Sequence, residues 1–167
     1  MADALSAARL LAAPVFAVSL ARGGWGPVVL VAAAIASDVA DGRVARRSAS
    51  ATRHGGILDA TADVVFVLCG TTAAARLELV PWALPLAIAC AAGTYAAASI
   101  DLSRRGGTVR LAHNVVGHAA GVGNWAVTGL AAGAMAVSWD GWPMALRGTA
   151  WLVAALNAAA VVARARR

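Results

Sequence analysis

The sequence predicts an all-α polytopic membrane protein: six transmembrane helices in a single domain spanning 1–167, with both termini in the cytosol. Three observations carry this expectation. Of the 167 residues, 60% are apolar and only 13% are charged, whereas a soluble domain is nearer a quarter charged. The mean hydropathy is +0.73, and the apolar stretches are about as long as a bilayer crossing, roughly 17 to 25 residues. The third observation is where the charge lies. Six spans can be drawn, at about 5–21, 26–42, 56–76, 79–100, 109–137 and 142–163. All 14 basic residues are arginine. With the N-terminus in the cytosol, Arg9, Arg43, Arg46, Arg47, Arg53, Arg104, Arg105, Arg110, Arg164, Arg166 and Arg167 fall inside, and only Arg22, Arg76 and Arg147 outside. That asymmetry is a positive-inside pattern. The net charge of +6 therefore reports topology and contact with anionic head groups, not a nucleic-acid partner.

Taken in order, span one contains Pro14, a bend or a packing point. It reads as a span and not a cleaved leader, because further spans follow at once. Arg22-Gly-Gly-Trp-Gly-Pro27 is a short glycine-rich reversal. Span two runs into Asp38 and Asp41 and is expected to end near Gly42, leaving a polar loop from Arg43 to His54. Span three opens on Gly55-Gly56 and carries Asp59 and Asp63 in its first two turns. Spans two and three are expected to form a hairpin that brings the two acidic pairs together at its cytosolic end. Span four follows Glu78-Leu-Val-Pro81-Trp82, with the tryptophan at interface depth. Span five carries His113, Asn114, His118 and Asn124, and its Gly117/Gly121 and Gly129/Gly133 pairs permit close helix approach. Trp139 and Trp142 flank the outer turn before span six. Cys69 and Cys90 read as small core residues with no redox role.

The aspartates are the unusual feature. Of the eight acidic residues, four lie between positions 38 and 63. They form two pairs, three apart (Asp38, Asp41) and four apart (Asp59, Asp63), and on a helix both spacings share a face. One ionised aspartate at the centre of a lipid-embedded helix costs roughly 2.5–3.5 kcal/mol. Four therefore need the interface, a hydrated cavity, arginine partners or a bound cation. Oxygen-only ligands that converge suit a hard divalent ion, Mg²⁺ or Mn²⁺. Gly42 and Gly55 bracket the stretch, either as helix-end glycines or where a flat or bulky ligand approaches the backbone. Arg46, close beyond Asp41, could hold a phosphate.

The run Asp38-x₂-Asp41-Gly42-x₂-Ala45-Arg46-x₈-Gly55-x₃-Asp59-x₃-Asp63 resembles the signature of the CDP-alcohol phosphatidyltransferase family at every fixed position. Leu5-Ser6-x-x-Arg9-Leu10 is similar to the start of that family's first helix. The resemblance implies transfer of a phosphatidyl group from a CDP-linked lipid, typically CDP-diacylglycerol, to a small alcohol, with release of CMP. It implies that Asp38, Asp41, Asp59 and Asp63 hold two Mg²⁺ or Mn²⁺ ions and that Asp63 is the catalytic base. It further implies that Gly42, Ala45, Arg46 and Gly55 shape the CDP site. The family tends to be dimeric, so a homodimer is expected, in a bacterial-type inner or plasma membrane with the site facing the cytoplasm.

The acceptor stays open. Members that use glycerol phosphate often carry lysine after the last aspartate and inositol-phosphate users arginine, but here the position is Val64. Glycerol 3-phosphate ranks first, then inositol phosphate or serine. Arg104, Arg105 and Arg110 are the cations available for a phosphorylated acceptor, or else ordinary positive-inside loop charges. Asn114 and His118, four apart, line an acceptor pocket or make interhelical hydrogen bonds. Two other functions compete. A divalent-cation carrier needs a polar path, which spans four and six scarcely offer. A catalytically inactive lipid-binding relative would have no use for four intact aspartates.

Overall fold

The computed structural model describes residues 2–48, 53–104 and 115–165, with side chains at 4–37, 39, 56–99 and 115–165. These residues form six α-helices and no strand: α1 (Ala2–Arg22), α2 (Gly26–Ser48), α3 (Arg53–Arg76), α4 (Ala83–Arg104), α5 (Val115–Ala136) and α6 (Trp142–Ala165). Three stretches, Ala4–Arg22, Gly56–Arg76 and Trp142–Ala165, are long and apolar enough to cross a membrane. Gly26–Ser37 and Ala83–Ser99 are apolar but shorter. The chain is an integral membrane protein. Lipid offers the backbone no hydrogen-bond partner, so apolar segments in it close their bonds internally as helices.

Two boundaries differ from those the sequence suggests. α2 continues through Gly42 to Ser48 and α3 begins at Arg53, so the stretch expected as a polar loop over 43–54 is helical at 43–48 and 53–54, while 49–52 lie outside the described residues. Arg-Val-Ala-Arg-Arg is a helix-compatible run, and arginines near a helix C-terminus complement its dipole. Gly42 is consequently an interior residue of α2 and not a helix end. The other difference is at α4, which starts at Ala83 and not at 79. α3 closes with Leu79 N donating to Ala74 O (2.9 Å) and Glu78 N to Ala75 O (3.1 Å). This is the double bond of a Schellman cap, with Glu78 at φ 58° where glycine is usual. The cap and Pro81 delay the next helix. The α1–α2 reversal uses Gly23 (φ 75°) and Gly24 (φ 77°), left-handed conformations that glycine adopts without penalty.

The helices pack as a ring, in the order α2, α1, α3, α4, α6, α5 and back to α2, with α5 also touching α3 across the middle. α1 and α3 share the most extensive face. Among the described residues α1 packs on both α2 and α3; spans two and three are expected to bring the acidic pairs together at their cytosolic end, where the side chains of Asp38 and Asp41 lie outside the described residues. At the centre the rings of Phe16, Phe66 and Trp125 stack, with centroids 4.9 Å and 5.4 Å apart. They join α1, α3 and α5.

Of the glycines in the sequence pattern, Gly133 makes a close approach, where a Cβ would stand 3.2 Å from Trp142 Cη2, and tighter ones lie elsewhere. A Cβ at Gly70 would stand 2.5 Å from Phe16 Cε1, and one at Gly123 would stand 2.8 Å from Val153 Cγ2. One at Gly121 would meet nothing within 4 Å. Cys69 is half-buried as expected, whereas Cys90 lies on the exposed face of α4. Polar ties complete the packing. Arg164 Nη1 of α6 donates to Ala91 O (2.8 Å) and Thr94 Oγ1 (3.2 Å) of α4.

Asn124 of α5 makes an interhelical bond. It accepts from Nδ2 of Asn157 (2.8 Å), which also donates to Val153 O (2.9 Å). Asn157 is buried in α6. Asn157→Ala is expected to destabilise the bundle by about 1 kcal/mol, the scale of an interhelical hydrogen bond in a membrane, measured by thermal unfolding in detergent. An unchanged melting temperature would deny the bond any net contribution.

Candidate active site

The site grows from an arginine in the wrong place for a topology signal. Arg9 lies two turns into α1, and its side chain is 0% exposed. A guanidinium withdrawn from water inside an apolar bundle requires partners, since an unpaired charge there is expensive. Arg9 Nη1 donates to Asp59 Oδ1 at 3.0 Å and to Asp63 Oδ1 at 2.5 Å. Its Nη2 donates to Ser37 Oγ at 3.3 Å. Ser37 in turn donates to Ala34 O at 2.8 Å, and Ser6 Oγ donates to Asp59 Oδ1 at 3.1 Å. Three helices are thus tied at one point.

Each element contributes for a local reason. Ser6 and Arg9 are three apart on α1 and share a face, the face laid along α3. Asp59 and Asp63 are four apart on α3, and their Oδ1 atoms converge on a single nitrogen. Ser37 is the last α2 residue before Asp38, so one guanidinium spans from the second acidic pair to the turn that leads into the first. Asp59 and Asp63 keep 39% and 29% of their side-chain surface exposed, enough for a ligand to reach them from outside.

Of the other residues singled out from the sequence, Asp38, Asp41, Gly42, Ala45 and Arg46 lie on α2 and Gly55 lies in the first turn of α3; their side chains fall outside the described residues. Arg104 ends α4, its side chain likewise outside. Arg105, Arg110 and Asn114 lie outside the described residues altogether. His118 is exposed in the first turn of α5.

Among the described residues no group of three or more His, Cys, Asp and Glu side chains is gathered. Asp59 and Asp63 supply carboxylate oxygens, the donor type that Mg²⁺ and Mn²⁺ take, with Arg9 on the same oxygens.

Sequence reasoning counted Arg9 among the cytosolic topology charges and noted Ser6 and Arg9 together only as a family-like start of the first helix, without a role in the site; Ser37 was not singled out. The signal that could have found them is an arginine inside a span with a hydroxyl three residues earlier. Such an arginine needs carboxylates at its own depth, and the aspartates of the motif supply them.

A family model described as CDP-alcohol phosphatidyltransferase matches residues 1–163. No curated protein and no solved structure matches the chain.

Proposed function

The chain belongs to the CDP-alcohol phosphatidyltransferase family, and from that membership we propose that it moves a phosphatidyl group from CDP-diacylglycerol to a small alcohol, releasing CMP. As a member it is a phosphotransferase for CDP-alcohol substrates, working in a membrane. The match over residues 1–163 carries the reading, and the convergence of Asp59 and Asp63 on one cation supports it.

Asp38, Asp41, Asp59 and Asp63 would hold two Mg²⁺ or Mn²⁺ ions. When bound, such ions neutralise the pyrophosphate and stabilise charge on the attacking and leaving oxygens. Asp63 accepts the proton of the acceptor hydroxyl as its oxygen bonds to phosphorus. The bond from that phosphorus to the bridging oxygen breaks, and CMP departs with it. Gly42 and Gly55 keep the backbone open to the nucleotide, Ala45 lines its site, and Arg46 offers a donor fork to phosphate. Arg104, Arg105, Arg110, Asn114 and His118 surround the acceptor, for which glycerol 3-phosphate ranks first. The six helices form one domain crossing the membrane six times, with both termini and the site on the cytosolic side of a bacterial-type membrane and the chain paired as a homodimer.

The test is CMP release from CDP-diacylglycerol by purified protein in detergent, with glycerol 3-phosphate, inositol 1-phosphate, inositol and serine offered in turn. Release is expected with one acceptor, to be lost on adding a chelator and restored by Mn²⁺ or Mg²⁺. Release that survives chelation would refute the metal-dependent mechanism. Silence across the panel, in protein that binds Mn²⁺, would refute the assigned acceptors.

A further inference from the structure

The nitrogen at which Asp59 and Asp63 meet belongs to the protein itself. Arg9 Nη1 bonds to Oδ1 of both carboxylates, and the guanidinium is held on its other side by Ser37. It is a cation built into the position where a divalent ion would draw on the same oxygens. A fixed positive charge a few ångströms away opposes the arrival of another, and the two must share or exchange those oxygens. We propose that Arg9 competes with the divalent ion for Asp59 and Asp63, so that its guanidinium sets the metal affinity of the second acidic pair and holds Asp63 until metal is bound. This rests on the reading that the pair binds a divalent ion.

The geometry supports competition over simple support. An arginine that only oriented a carboxylate could do so through one bond to one residue. Here a single Nη1 bridges two carboxylates from one helix face, as a shared cation does, and the side chain is 0% exposed, so water screens its charge little. Ser6 also donates to Asp59 Oδ1, so Asp59 keeps an orienting partner when Arg9 lets go. Asp63, the proposed base, is the carboxylate that Arg9 holds most closely. Release of Arg9 would then be the event that both admits the ion and makes Asp63 available to the acceptor hydroxyl. Arg9 is in this sense a positioning residue whose partner changes with loading.

The test is Mn²⁺ binding to chelator-stripped, full-length protein in detergent, read from the signal of free Mn²⁺ in electron paramagnetic resonance, with melting temperature as a second readout. For Arg9→Gln, loss of a unit charge beside the site is expected to tighten Mn²⁺ binding by about tenfold. The melting temperature should fall without Mn²⁺ and recover more with it than in the wild type. Arg9→Lys, which keeps the charge but not the planar two-pronged geometry, is expected to tighten binding less. It carries the test if Arg9→Gln does not fold. Unchanged or weaker Mn²⁺ binding in the folded variants would overturn the competition while leaving the metal reading intact. No Mn²⁺ binding by the wild type would overturn both.

Discussion

Asp63→Asn is expected to lower phosphatidyl transfer by about 10²–10⁴-fold, the range attributed to a positioned general base, in a protein that remains folded. Asparagine has the same shape, and its Oδ1 can still accept the bond from Arg9 that Asp63 accepts now. Arg9 would also keep Asp59 and Ser37 as partners, so the three-helix tie survives. What the substitution removes is the negative charge and with it the capacity to take a proton. CMP release should be measured at saturating Mn²⁺, so that weakened metal binding does not pass for lost base catalysis. Full activity under those conditions would remove Asp63 from the base role.

Phe66→Ala is expected to destabilise the bundle by about 3 kcal/mol, the lower end of what emptying an aromatic core site costs. The ring is 0% exposed and stacks on Phe16 and Trp125 at once, so three helices lose contacts together. Helices already in lipid gain little from the hydrophobic effect on associating, and packing is what holds them. The void also has little chance to collapse: Gly70 already brings α3 against Phe16 as closely as a missing side chain allows. Thermal unfolding in detergent measures the loss. A shift no larger than that of Asn157→Ala would show that the aromatic stack is not the centre of the packing.

Much of the molecule was legible in one dimension. The helical content follows from long apolar runs that lipid forces to hydrogen-bond internally, and the reversal at Gly23-Gly24 follows from conformations that favour glycine. The family signature was complete in the spacing of the aspartates and glycines. The sequence by itself therefore determined the fold class and the chemical character of the motif, because both depend on local residue type and period. Tertiary structure alone decided which elements meet. α1 packs on both α2 and α3, Gly70 and Gly123 are points of close approach and Gly121 is not, and Asn124 is bonded to Asn157. It also turned Arg9 from a topology charge into the counter-charge of Asp59 and Asp63. No periodicity records this, because these partners lie 50 or more residues apart in sequence. The packing of α1 along α3 removes Arg9 from water and sets those carboxylates beside it.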